Sequence, residues 1–217
     1  MKYYLDENSI DLDALQDRLQ STDLIPSQEP LLDRLSENMS SLTGAGIQSL
    51  ADLRLAVKTT KSLEELAKKS GVEVGYLELL RRAINGFFPK PKSLKEVDWI
   101  GAGLITKLNK AGLKNTQHLF ELTSDERAEL IKETGFDQAK FNELSAISDL
   151  CRIQWVSPTF ARVLVAAGFN NAHAIAAADP EAVFNAMEEA NKGARYYKGK
   201  VGLRDVARLV TAAKYVP

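Results

Sequence analysis

The sequence is poor in the residues that most metal proteins and many enzymes use. It contains one cysteine and two histidines in 217 residues, which excludes an internal disulfide framework and a cysteine–histidine zinc site. His118 and His173 have no ligand-type residue at metal spacing, and Cys151 stands among apolar residues typical of a buried thiol. No Walker loop, nucleophile elbow or H-E-x-x-H pattern occurs. We therefore expect no catalytic residue, no metal and no cofactor, and we predict that the chain is not an enzyme.

Long apolar runs and a charge excess are also missing. No stretch approaches the roughly 20 apolar residues of a membrane span, and the first residues lack the apolar run of a signal peptide. The net charge is −1, so there is no global attraction to a polyanion or an anionic membrane. We expect a cytoplasmic protein without a membrane partner. The charge is nevertheless uneven: residues 1–50 carry a net −6 and residues 152–217 a net +4. This asymmetry indicates either a polyanion site at one end or a dipolar surface without function.

One short phrase recurs three times at the end of a helical pattern. It consists of Leu, two variable residues, Ala-Gly and a hydrophobe, at residues 42–47, 108–113 and 164–169. Glycine after an apolar-periodic stretch is a helix stop, and a second such stretch follows each copy. Recurrence of this kind predicts a chain built from one repeated unit that reads helix, glycine stop, helix.

The predicted fold is all-α, with three imperfect helix-hairpin-helix-like repeats, of which the last two form a tandem pair. Pro89 and Pro91 cannot lie inside a regular element, so we place a domain boundary near residue 92. Residues 1–92 are the expected N-terminal helical domain with one divergent repeat, and residues 93–217 the expected C-terminal tandem domain. In the first domain, the apolar pattern predicts a helix that begins at Ser27 and runs through Met39.

The turn of a helix-hairpin-helix unit is an anion site. It presents backbone N–H groups at a helix N-terminus, where the helix dipole favours a phosphate. When the last two repeats are aligned, Gly101 and Ser157 occupy this position, and Ile105 and Ala161 lie where the two helices pack. In both copies a tryptophan stands two residues earlier, where the pattern has glycine. The hairpins therefore either contact phosphates or serve only to pack helices.

A second candidate is the segment at residues 191–204. It holds five cations, two tyrosines and three glycines, and such residues can neutralise phosphates and stack on bases. The alternative is a solvated loop whose tyrosines pack on the core. The predicted nucleic-acid-binding residues are, together, Gly101, Lys107, Lys110, Ser157, Arg162, Lys192, Arg195, Tyr197, Lys198, Lys200 and Arg204.

Several longer phrases carry a family resemblance. They lie at residues 24–27, 76–82, 89–91, 152–158, 196–205 and 213–217. With them the chain resembles, over nearly its whole length, a bacterial family described as a helix-hairpin-helix-like domain of unknown function. The resemblance implies an all-helical repeat fold, and it supplies no activity, ligand or catalytic residue. It also implies glycine at the position of Ser157 in relatives, and hence a weaker anion turn in this chain.

These observations predict a non-catalytic helical binding module and leave its partner open. A protein-interaction scaffold, with a protein partner or self-association, fits the near-zero net charge and the acidic residues 1–50. Contact with a DNA or RNA backbone without sequence preference fits the Gly101 and Ser157 turns and the basic segment. An enzyme of unrecognised type is the third alternative.

Overall fold

The structure, a computed structural model, describes residues 2–217. These residues form 13 α-helices and four short 3-10 turns, and they contain no β-strand. The prediction of an all-α fold is therefore confirmed. The chain divides into two compact units, one at Asp6–Phe88 and one that joins Pro89–Pro217 to the described residues up to Leu5. This division falls between Phe88 and Pro89, whereas the sequence predicted a boundary near residue 92.

The N-terminal unit contains five helices: α1 (Leu12–Ser21), α2 (Leu35–Gly44), α3 (Leu50–Ala56), α4 (Thr60–Ser70) and α5 (Val74–Gly86). Leu15, Leu50 and Leu80 are among the fully buried side chains of its core. The prediction of one helix from Ser27 through Met39 is wrong. A 3-10 turn occupies Glu29–Leu32, and Arg34 then adopts φ +53° before α2 begins. A left-handed residue cannot continue a right-handed helix, so the apolar stripe is split at this point.

The C-terminal unit contains eight helices: α6 (Ala102–Lys110), α7 (Thr116–Phe120), α8 (Ser124–Thr134), α9 (Gln138–Leu150), α10 (Pro158–Ala166), α11 (Ala172–Ala176), α12 (Pro180–Ala194) and α13 (Leu203–Ala213). One continuous apolar core runs through them, and Ile105 and Ala161 belong to it. Both residues are thus buried at the positions where the aligned repeats place helix packing.

The three Ala-Gly stops have the same geometry. Gly46, Gly112 and Gly168 have φ values of +92°, +85° and +95°. In each stop the glycine N–H donates to the carbonyl three residues earlier, and the following hydrophobe donates to the carbonyl of the leucine five residues earlier, over 2.9–3.1 Å. This pair of bonds satisfies the last carbonyls of the helix, and it requires the left-handed conformation that glycine adopts without a steric penalty.

The order of helices around these stops also recurs, as α2–α5, α6–α9 and α10–α13. In each group the short second helix begins after a side-chain cap, provided by Ser49, Asn115 and Asn171. In each group the first helix packs against the third, and the second against the fourth. The third helix also packs against the fourth in the first and last groups, but α8 and α9 make few contacts with each other.

The side chain of Arg152, directly after α9, joins distant parts of the C-terminal unit. This residue is 5% exposed. Its guanidinium donates to the main-chain oxygen of Tyr3 at 3.1 Å, to the carboxylate of Asp149 at 2.8 Å, and to a main-chain oxygen of Pro217. It also lies 4.0 Å from the ring centre of Phe120. A buried charge is tolerated when its donors are satisfied in this way.

The glycine stop can be tested by one substitution at the stop itself and one inside α6, the helix that the stop ends. We expect Gly112→Ala to lower the free energy of unfolding by roughly 1–2 kcal/mol, because an alanine disfavours the left-handed conformation. A Cβ at this position would meet nothing within 4 Å, so the effect is one of the backbone. Gly103→Ala, inside the same helix, should instead raise the free energy of unfolding by roughly 0.4–1 kcal/mol. Equal urea midpoints for the two variants would contradict this account of the stop.

Candidate functional site

A cationic side chain brings together three segments that are far apart in the sequence. Arg162, in the second turn of α10, lies 4.7 Å from the ring centre of Trp99 and 4.3 Å from that of Tyr196. Glu143 on α9 completes the group: its carboxylate accepts from the indole N–H of Trp99 at 3.3 Å and lies 3.7 Å from the Nε of Arg162. The turn before α6, the start of α10 and the segment after α12 therefore meet at one place. We call these four residues the Arg162 cluster.

The loop between α12 and α13 is held against α10 by Tyr197. The side-chain amide of Asn191 donates to the Tyr197 carbonyl at 2.8 Å and accepts its backbone N–H at 3.0 Å. The Tyr197 ring lies 5.2 Å from the ring of Phe160. It also covers Gly199, since a Cβ there would stand 2.4 Å from the tyrosine ring. Residues 195–202 are thus a fixed surface loop, and the predicted basic segment begins inside α12.

The N-terminus of α6 is open to solvent. Gly101 has φ +102° and stands at the N-cap without a side-chain hydrogen bond to the helix. The N–H groups of Ala102 and Gly103 have no acceptor among residues 2–217, and all three residues are exposed. A helix start with free N–H groups carries partial positive charge, which favours an anion.

The N-terminus of α10 differs in its cap and in its first helical residue. Ser157 has φ −91°, and its hydroxyl accepts the N–H of Phe160 at 3.2 Å. Pro158 follows it and has no N–H to offer. Trp155, rather than residue 157, adopts the left-handed conformation, with φ +70°, and it is 56% exposed. The two turns that align in sequence are therefore not equivalent: the α6 turn presents two free N–H groups, at Ala102 and Gly103, whereas at the start of α10 a proline removes the first of these donors.

Three of the predicted cations lie away from the α6 turn or are already engaged. Lys107 donates to the main-chain oxygen of Thr134 at the end of α8. Lys110 is exposed in the last turn of α6, about 12 Å along the helix from its start at 1.5 Å per residue. Lys192 pairs with Glu189 at 2.9 Å on the surface of α12.

The other predicted cations belong to the loop or follow it. Arg195 ends α12 with φ +46° and is exposed. Lys198 and Lys200 are exposed, and neither makes an ion pair with any residue in the described range 2–217. Arg204 is exposed in the first turn of α13. Because Tyr197 anchors the loop to α10, Lys198 and Lys200 project from a segment adjoining the Arg162 cluster.

Sequence reasoning missed four residues of this surface: Trp99, Glu143, Phe160 and Tyr196. Trp99 was noted only as an exception to the glycine pattern, and Tyr196 only as a neighbour of Tyr197. Glu143 and Phe160 carry no local signal, since their roles arise from contacts across 44 and 37 residues. One sequence signal connects three of the segments, since each has an aromatic residue within four positions of a cation: Trp99 with Lys95, Phe160 with Arg162 and Tyr196 with Arg195.

The single thiol belongs to the buried core of the C-terminal unit. Cys151 is fully buried, and burial raises its pKa to about 12. Within the described part of the chain, no three His, Cys, Asp or Glu residues are grouped as metal ligands would be. The helices of residues 2–217 include none with the length and apolarity to cross a membrane.

The described chain is all-helical, and its C-terminal unit carries the aromatic and cationic Arg162 cluster. That unit carries the family relationship: the family described as a domain of unknown function, DUF4332, matches residues 100–216. The match covers more than half of the chain, which therefore belongs to this family. It begins at Ile100, whereas the resemblance noted in the sequence extended into the N-terminal unit. No curated protein and no solved structure matches the chain.

The state of Cys151 gives a direct test of the buried core. A thiol reacts as its thiolate, so a pKa near 12 and complete burial should make Cys151 inert to Ellman's reagent at about pH 8. We expect one equivalent of thiol to react in urea and almost none in the folded protein over the same time. Rapid labelling of the folded protein, with its helical circular dichroism intact, would show that Cys151 is accessible.

Proposed function

We propose that the chain is a non-catalytic helical binding module that contacts a nucleic-acid backbone without sequence preference. The observation that carries the proposal is the position of the Arg162 guanidinium between the rings of Trp99 and Tyr196. Aromatic faces beside cations are the means by which proteins hold single-stranded nucleic acid, because every base has a π-face and every nucleotide a phosphate. The same surface would accept DNA or RNA.

The surroundings of the cluster support the same function. The free N–H groups at the start of α6 lie three and four residues after Trp99 and could donate hydrogen bonds to a phosphate oxygen. Lys198 and Lys200 add exposed positive charge on a loop that Tyr197 fixes in place. The C-terminal unit carries 19 basic and 15 acidic residues, and the N-terminal unit 9 basic and 14 acidic residues. A polyanion is therefore expected to approach the C-terminal unit.

We further propose that the recurring helix groups are helix-hairpin-helix-like repeats. The matching glycine stops and the burial of Ile105 and Ala161 support this interpretation. In this view α6 carries the functional anion turn and α10 a turn that has become structural. A cytoplasmic location in a bacterium is part of the proposal, and the lone free thiol of Cys151 fits a reducing compartment.

A protein-interaction scaffold is the second candidate. The net charge of −5 on the N-terminal unit favours it, because a surface of this sign repels nucleic acid. A protein partner or self-association would then be the main interaction. The two functions differ in their response to salt, since counterion release makes nucleic-acid binding fall steeply with ionic strength.

The proposal predicts a specific loss of affinity when the loop cations are removed. We expect a labelled oligothymidine of about 20 nucleotides to bind at low salt, as measured by fluorescence anisotropy. Lys198→Ala with Lys200→Ala should weaken binding roughly tenfold and lower the slope of log K against log salt by about 0.7 per lost contact. Gly199→Ala should weaken binding as well, because its Cβ displaces the Tyr197 ring.

Matched controls lie on the same protein. Lys58→Ala with Lys61→Ala removes two exposed cations from the N-terminal unit, and Gly193→Ala alters an unobstructed helical glycine in α12; both should leave the affinity unchanged. Equal effects of the two double variants would mean that binding depends only on net charge. Absence of binding at low salt, or a flat salt response, would refute nucleic-acid binding and favour the scaffold.

The two tryptophans provide a second readout. In a Trp155→Phe variant, Trp99 is the sole tryptophan, and it lies inside the Arg162 cluster. We expect the oligonucleotide to quench its fluorescence with the same midpoint as the anisotropy change. Saturable binding without any change in Trp99 emission would place the nucleic acid elsewhere on the protein.

A further inference from the structure

A groove of about 1050 Å³ opens beside α9 in the C-terminal unit. It lies between α8 and α9, where the corresponding helices of the other two groups, α4 with α5 and α12 with α13, pack against each other. The apolar part of its lining includes Ile131, Phe141 and Val165. The third and fourth helices therefore pack together in the first and last groups, and they leave a groove between them in the group α6–α9.

One aligned position differs between the open helix pair and the two closed ones. The fourth residue after the N-cap is Leu63 in α4 and Val183 in α12, and both side chains are fully buried. The equivalent residue in α8, counted from the N-cap Thr123, is Arg127, which lines the groove. A guanidinium cannot replace an apolar contact between two packed helices without a partner for its charge.

Arg127 is incompletely satisfied. Its Nη2 donates to the carbonyl of Phe120 at 3.2 Å, but its Nε is buried and has no hydrogen-bond partner in the described part of the chain. Asp149 also lines the groove, but its carboxylate already accepts from Arg152 at 2.8 Å. Glu143 lies in the wall as well and is engaged by Trp99 and Arg162. The acidic groups of the wall thus have side-chain hydrogen-bond partners within the protein, whereas Arg127 bonds only a main-chain oxygen and makes no close ion pair in the described part of the chain.

The remaining wall is rich in side-chain amides. Gln138, Asn142 and Asn170 line the groove, and the first two are joined by a hydrogen bond of 2.9 Å. An amide offers both a donor and an acceptor, which is what an extended backbone needs and a helix does not, because a helix satisfies its own backbone. The stretch of α9 from Gln138 to Asp149 spans about 16 Å, which matches roughly five residues of extended chain.

We propose that this groove binds an extended segment of a partner protein, with an acidic side chain of the segment pairing with Arg127. The amides would bond the backbone of the segment, and the apolar floor would take alternate side chains. The groove shares only the wall residue Glu143 with the Arg162 cluster, and its proposed contacts and ligand are different, so either proposal can fail without the other.

The experiment uses the full chain and a labelled peptide, acetyl-Leu-Thr-Glu-Thr-Leu-amide, with matched peptides that carry glutamine or lysine in place of the glutamate. We expect the glutamate peptide to bind saturably and at least tenfold more tightly than the glutamine peptide. Arg127→Glu should reverse the preference, so that the lysine peptide binds best. A charge reversal rescued by the complementary peptide separates pairing from a general loss of structure.

Two further variants sharpen the result. Arg127→Leu restores the residue type of the other helix groups, so it should raise the melting temperature while it abolishes peptide binding. Lys132→Leu, an exposed position on the same helix, should leave binding unchanged. Shifts of the side-chain amide NMR signals of Asn142 and Asn170 should accompany binding. No saturation up to roughly 1 mM peptide, equal affinity for all three peptides, or unaltered binding by Arg127→Leu would overturn the proposal.

Discussion

The left-handed glycine at the end of α6 and α10 is the constraint on which the C-terminal unit depends. The two hydrogen bonds at each stop end one helix and set the direction of the next within three residues. Because Gly112 and Gly168 share the same geometry, the helices that follow them repeat their packing, and one apolar core can run through both groups. The sites considered above lie on the surface of this frame, at places where the repeated groups have diverged from each other.

The two groups of the C-terminal unit differ in the same way at both sites. The group α6–α9 carries the open features: a helix start without a side-chain cap at Gly101, and a helix pair held apart at Arg127. The group α10–α13 carries the closed ones: a serine and a proline at the start of α10, and a fully buried Val183 on α12, a helix that packs against α13. A tandem repeat allows this difference between its copies. One copy can be fully packed and stabilise the unit, while the neighbouring copy exposes polar groups instead of packing them.

The parts of the structure that local chemistry controls could be predicted from the sequence. The Ala-Gly stops, the helical class and the burial of Ala161 follow from residue type and spacing alone. Other features depend on contacts that spacing does not encode. The break at Arg34 has no glycine or proline at the break itself, and the partner of Lys107 is a carbonyl 27 residues away. The alignment of Gly101 with Ser157 matches the N-caps of α6 and α10, yet it could not reveal that only the second of these caps has a side-chain hydrogen bond to its helix.

The guanidinium of Arg152 has a consequence for protein engineering. It binds main-chain oxygens of both Tyr3 and Pro217, which brings the two sequence extremes of the described chain to a single side chain. A short linker could therefore join them in a circular permutant, with new termini cut into the surface loop before α13. Such a permutant would keep the glycine stops, and its new termini would lie in the loop that carries Lys198 and Lys200.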